Sequence, residues 1–234
     1  MQRYQNFIFD LDGTLFKTHP LILKSLSLAY EELGIDIDKE KLNTSIIGPP
    51  VPDMIGKLSP ELSEEGIDTL ATSFRRIQYD LPYSMSPPYD GIFTLLNKLS
   101  IENKKLFIAT NRSNPSTERI LEAYGATEMF KDVYTPNRHG IPNQLKKHDM
   151  LMEMIKKYGL KKEETLMVGD TLGDIEAARI AGIKVLAVTW GYETDKIALC
   201  NGSDYQAHKA TDLLSPWTNL SACPYKKIQA DKGR

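Results

Sequence analysis

Short apolar runs of strand type alternate with longer stretches of helical period, and that alternation leaves the chain few folds. The runs are Phe7 to Phe9, Leu106 to Ala109, Leu166 to Val168 and Val185 to Val188. Helical-period stretches separate the last three. One covers Ser116 to Tyr124, with Ser113 or Asn114 as its cap and Gly125 as its stop. A second runs from about Asp149 to Tyr158 before Gly159, and a third from Leu172 to Ala181 before Gly182. Strands interleaved with helices in this way predict a parallel, doubly wound sheet.

From about Phe16 to Pro87 the alternation stops. Two helical patterns, Leu21 to Leu33 before Gly34 and Glu64 to Tyr79 before Pro82, flank the proline- and glycine-rich IIGPPVPDMIG. No strand pattern interrupts them, which predicts an all-helical insert after the first strand. SPPYDG at 86–91 then serves as the return linker. A chain of 234 residues has room for a core with a smaller insert. Beyond Pro216 the chain is polar, ends KKIQADKGR, and is expected to fray.

Charge narrows the partners. Lys plus Arg number 29 and Asp plus Glu 31, so neither a nucleic-acid nor a membrane surface is expected. No apolar run reaches the ~18 residues of a spanning helix. MQRYQNFIFD enters a strand at once and has no apolar signal core. Cys200 and Cys223 form neither a metal pattern nor a disulfide framework, which fits a reduced cytoplasm.

The chemistry gathers at the strand ends. In NFIFDLDGTLF, residues 6–16, an apolar strand ends in Asp10 and Asp12, which a two-residue repeat can point the same way. Two like charges that close need a cation, a shared proton or an anionic substrate with its metal. Ligands of an open parallel sheet bind outside the carboxyl ends of its strands. There the second run offers Thr110 and Asn111, and the third offers Asp170 in LMVGDTLGD. Asp174, four residues on, lies on the same face of the helix that follows. Singly, each group could be an ordinary turn or helix cap. Together, four carboxylates at one sheet edge suit a hard cation with oxygen ligands, Mg2+ where phosphate is also present. Thr110 and the amide after it suit phosphate oxygens. Lys146 and Lys147, in LKKHDML, could offset the acidic charge or merely solvate their helix.

This combination resembles the haloacid dehalogenase superfamily, specifically its phosphatases with a small helical cap, the phosphoglycolate phosphatase and β-phosphoglucomutase-like group. DLDGT at 10–14, IATN at 108–111, LKKHDML at 145–151 and GDTLGD at 169–174 resemble the four family motifs, in order. The resemblance implies a Rossmann-like α/β core of residues 1–15 and 88–215, a helical cap of 16–87 and a tail of 216–234. It implies Asp10 as nucleophile and Asp12 as general acid and base. Mg2+ would be contacted by Asp10, the backbone carbonyl of Asp12 and Asp170, with Asp174 orienting or joining the set. Thr110, the Asn111 amide and a lysine would hold the phosphoryl group. That lysine is Lys147 or Lys146, and counting back from Asp149 favours Lys147. Arg112 stands where the family often has lysine and is expected to matter little. GPP at 48–50 resembles the cap loop that faces substrate, so Gly48 and Pro49 are candidates for specificity. Arg75 and Tyr79, on one face of a cap helix by their spacing, are candidates too, against a plain solvated or packed role. Trp190 is expected at the edge of the site, and Met150, Met152 and Met154 as core and surface filler.

The activity implied is Mg2+-dependent hydrolysis of a small phosphorylated metabolite, phosphoglycolate in the first place, by a cytoplasmic monomer or homodimer. A sugar phosphomutase, a phosphonoacetaldehyde hydrolase using a cap lysine (Lys24, Lys39, Lys41 or Lys57) or a pyrophosphatase would share the core. A non-catalytic binding or regulatory protein is the alternative from another class.

Overall fold

The structure is a computed structural model, and it describes residues 4–140 and 145–214. The tail from residue 216 and Cys223 lie outside the described residues. Six parallel strands form one sheet: β1 (Asn6–Phe9), β2 (Lys105–Ala109), β3 (Asp132–Tyr134), β4 (Thr165–Gly169), β5 (Lys184–Val188) and β6 (Tyr205–Ala207). Their order is β3-β2-β1-β4-β5-β6. The four apolar runs are the four inner strands. The two edge strands have three residues each, too short to show a period.

Both faces of the sheet are covered. Phe7, Phe9, Leu106, Ile108, Leu166 and Val168 belong to one apolar cluster, whereas Ile8, Phe107, Ala109 and Met167 belong to another. The two-residue alternation of strands thus feeds two cores, and every residue of β1 is buried. Met150 and Met154 fill the second core, and Met152 is exposed.

Between β1 and β2 lie α1 (His19–Glu32), α2 (Val51–Leu58), α3 (Glu64–Asp80) and α4 (Ile92–Ile101). The first three share a third apolar cluster that includes Ile22, Leu26, Met54, Ile55, Leu70 and Phe74. The proline-rich IIGPPVPDMIG is not merely a connection: it contains α2. Pro50 caps that helix and Pro52 sits in its first turn, where backbone N–H groups have no intrahelical acceptor. α3 begins at Ser63, whose hydroxyl accepts the Gly66 N–H at 3.2 Å, with Glu64 and Glu65 in the favourable first turn. The core helices α5 (Asn114–Ala123), α6 (Lys147–Tyr158), α7 (Leu172–Ala181) and α8 (Lys196–Gly202) complete the fold.

Candidate active site

The strand order decides which side chains meet. The chain runs outward from β1 through β2 to β3, then returns to β4 on the other side of β1. Phe9 therefore lies between Ile108 and Val168 in register. The next residue, Asp10, emerges between the ends of β2 and β4, at the switch point where such sheets bind ligands. Thr110 follows β2 and Asp170 follows β4, and both are fully buried.

Asp10, Asp170 and Asp174 bring carboxylate oxygens within 4.8 Å of one another. All three are buried. The Lys147 ammonium lies 2.9 Å from Asp10 Oδ1 and 2.6 Å from Asp174 Oδ1. Lys146, its neighbour, is exposed and instead donates its backbone N–H to Asp149 at 3.2 Å, as the cap of α6. Asp174 accepts the Thr171 N–H at 3.0 Å and its hydroxyl at 2.7 Å, closing a capping box at the start of α7. Asp170 accepts the Thr14 hydroxyl at 2.9 Å and the Tyr192 N–H at 2.7 Å.

The electrostatics are lopsided. Burial holds Asp10 well above the usual carboxylate range; Lys147 opposes the shift, and Asp174, Asp170 and Asp12 add to it. Burial, reinforced by Asp174, pushes Asp170 up to about 7 against its two donors and Lys147. Lys147 behaves oppositely. Burial alone would lower it, but Asp10 and Asp174 outweigh burial and hold the ammonium above its ordinary value. One cation faces three buried carboxylates, so the lysine gains and the acids do not. A hard divalent metal fits the excess of carboxylate oxygens.

Close backbone approach makes the cluster possible. Gly13 sits at φ +81°, in the turn that follows Asp12, and a Cβ there would stand 2.3 Å from Asp170 Oδ2. At Gly191 a Cβ would stand 2.2 Å from Asp170 Cβ. Trp190 packs at the rim, donating its indole N–H to the Thr14 carbonyl at 3.1 Å.

Above the cluster is a cavity of about 40 Å³. Asp10, Asp12, Thr110, Asn111 and Arg112 form its floor, and Gly48, Pro49, Phe74, Arg75 and Gln78 are part of its helical roof. Asn111 donates from Nδ2 to the Gly48 carbonyl at 2.8 Å and so ties floor to roof. Burial lowers the half-buried Arg75 guanidinium against the pull of Asp68. Among the described residues no hydrogen bond or ion pair takes that guanidinium. Tyr79 is not brought to the cavity. It is 40% exposed, with the Arg119 guanidinium 4.5 Å from its ring centre. The Arg119 guanidinium on α5 draws the Tyr79 ring to that side of α3.

A profile of the family described as haloacid dehalogenase-like hydrolase matches residues 7–188. The chain belongs to this family. The hydrolase is 29% identical over 207 residues to pyrophosphatase PpaX of Halalkalibacterium halodurans, covering 88% of this chain and 94% of the relative. It is 30% identical over 189 residues to tyrosine-protein kinase PtkA of Mycobacterium tuberculosis, covering 80% of this chain but only 63% of that protein. Among solved structures, the haloacid dehalogenase-like family protein SP0104 of Streptococcus pneumoniae superposes with a TM-score of 0.80 at 25% identity. That superposition covers 92% of this chain and 98% of the other. The hydrolase is an enzyme of the family's phosphatase type.

Arg112 is engaged more closely than its sequence reading suggests. Its side chain is 1% exposed, and Nη2 lies 2.7 Å from Asp12 Oδ1. A buried guanidinium has to be paired, and here the partner is the carboxylate of Asp12. Tyr192 and Thr14 were also missed as supports of Asp170. Thr14 stood inside the DLDGT motif and was legible there. Tyr192 and Arg112 meet their partners across the fold, and no local pattern marks them. No helix among the described residues is long and apolar enough to cross a membrane.

Proposed function

We propose that this hydrolase, as a cytoplasmic enzyme, cleaves a small phosphomonoester whose leaving group carries a second negative charge, with phosphoglycolate as the leading candidate. The observation that carries this reading is one cavity that brings Asp10, Asp12 and Thr110 together with Arg75, whose guanidinium has no hydrogen bond or ion pair among the described residues. Arg75 favours an anionic leaving group.

Asp10 attacks phosphorus, the bond from phosphorus to the ester oxygen breaks, and that oxygen takes a proton from Asp12. Water then attacks the aspartyl-phosphate and gives a proton to Asp12. The bond to Asp10 breaks, releasing inorganic phosphate and restoring the carboxylate. Thr110, the Asn111 amide and Lys147 hold the phosphoryl oxygens, where positioning and charge do most of the work. Mg2+ would be held by Asp10, Asp170 and the Asp12 carbonyl, with Asp174 beside them. When bound, it would neutralise the phosphoryl oxygens as a carboxylate approaches them. The helical roof would exclude bulk water and place the leaving group.

Pyrophosphate is the second reading, favoured by the likeness to PpaX. Its second phosphate would offer Arg75 the same charge as a carboxylate.

The test is phosphate release from phosphoglycolate, pyrophosphate and acetyl phosphate, with Mg2+ and with chelator, beside Asp10→Asn. Metal-dependent release that disappears in the variant is expected. Release that survives in Asp10→Asn, or none from any of the three, would overturn the reading.

A further inference from the structure

A chain of buried hydrogen bonds joins the helical roof to Asp12. Arg112 Nε lies 3.2 and 3.3 Å from the two Asp12 oxygens, and Nη2 lies 2.7 Å from Oδ1. Contacts to both oxygens fix the plane of the carboxylate as well as its place. The remaining corner of the guanidinium, Nη1, donates to Ser116 Oγ on α5 at 2.5 Å. Ser116 in turn donates to Gln78 Oε1 on α3 at 2.9 Å, and its oxygen also accepts the Tyr83 hydroxyl at 3.1 Å. A hydroxyl has one hydrogen and two lone pairs. All three are engaged, so the direction in which Ser116 faces Arg112 is set by Gln78 and Tyr83.

Gln78 stands out on its own helix. It follows Leu70 and Phe74 at four-residue spacing on the buried face of α3, and it is 4% exposed. An amide on that face costs stability unless it is bonded, so packing alone does not explain it. Arg112 and Ser116 are 4% and 1% exposed, so water does not substitute for these bonds.

We propose that Gln78 and Ser116 are positioning residues that aim the Asp12 carboxylate through Arg112. The general acid and base is then held in its working orientation by the seating of α3 against α5. This rests on the role for Asp12 given above.

Acetyl phosphate tests it within one substrate. Acetate leaves phosphorus without needing a proton, so formation of the aspartyl-phosphate, read by kcat/KM, makes little demand on Asp12. Hydrolysis of that intermediate needs Asp12 as base, and a pre-steady-state burst of acetate release from the wild-type enzyme identifies it as the step that limits kcat. In Gln78→Leu, kcat is expected to fall roughly 10- to 100-fold while kcat/KM stays within about threefold, so KM falls in parallel. Ser116→Ala, a smaller change that keeps the fold, should show the same split. Equal losses in kcat and kcat/KM, or wild-type kinetics in both variants, would overturn the proposal while leaving the phosphatase reading intact. A wild-type protein that releases no phosphate from acetyl phosphate, phosphoglycolate or pyrophosphate would overturn both.

Discussion

At the residue scale the site is a problem of unbalanced charge. Lys147 is the only ammonium that touches Asp10 and Asp174 among the described residues. Lys147→Ala would leave three buried carboxylates to one another. In chelator it should cost about 3 kcal/mol, the scale of removing one partner from a buried pair. Thermal melts with and without Mg2+ would show the loss and its partial recovery by metal; an unchanged melting temperature in chelator would contradict the charge balance described here. Arg75 has a different task. Arg75 lines the cavity with no hydrogen bond or ion pair among the described residues, and the charge-assisted bond to substrate proposed for it would be worth about 1.5–3 kcal/mol. Arg75→Ala should raise KM for phosphoglycolate or pyrophosphate by at least about tenfold, and leave acetyl phosphate, which has no second charge, nearly unchanged. A uniform loss across all three substrates would remove Arg75 from the recognition of the leaving group.

At the scale of elements, the short edge strand β3 is anchored by one side chain. Asp132 pairs with Arg138 at 2.9 Å and with Lys157 at 2.9 Å, and it accepts the Tyr158 hydroxyl at 2.7 Å. Burial would raise this carboxyl, but the bonds from Lys157, Tyr158 and Arg138 prevail and hold it at about 2. The unfolded value is about 3.9. The folded state therefore gives up this proton at lower pH than the unfolded chain does. The stability it contributes is present above about pH 4 and is lost as pH falls toward 2. Asp132→Asn should lower the melting temperature at pH 7, and the gap to wild type should close as pH falls through that window. A gap independent of pH would show that the ion pairs do not anchor β3.

For the whole molecule, the proposed metal binding would be linked to folding through the same three acids. At a hundred times its Kd, Mg2+ should add about 2.7 kcal/mol to stability. Because burial pushes Asp170 up to about 7, metal must displace a proton there at lower pH. The Mg2+-induced rise in melting temperature should thus be larger at pH 8 than at pH 6, which calorimetry at the two values would check. A rise of equal size at both would show that Asp170 does not take part.

Much of this was readable along the chain, because it depends on local pattern. Buried strands need continuous apolar runs, crossover helices need a stop, and Gly159 and Gly182 supply it at φ +58° and +73°. Ligand groups follow strand ends, so Asp10, Thr110 and Asp170 could be placed before any coordinates. Edge strands β3 and β6 escaped because three residues carry no period, and α2 escaped because prolines mark a helix start as readily as a loop. The choice between Lys146 and Lys147 needed the fold: consecutive helical residues differ by about 100° in direction, and only packing says which one faces the sheet edge. Arg112 needed it for a stronger reason. Its meaning lies in Asp12, a hundred positions earlier, and in Gln78 and Ser116 on two other elements. A buried charge is defined by its partners, and partners that distant become neighbours only when the chain closes.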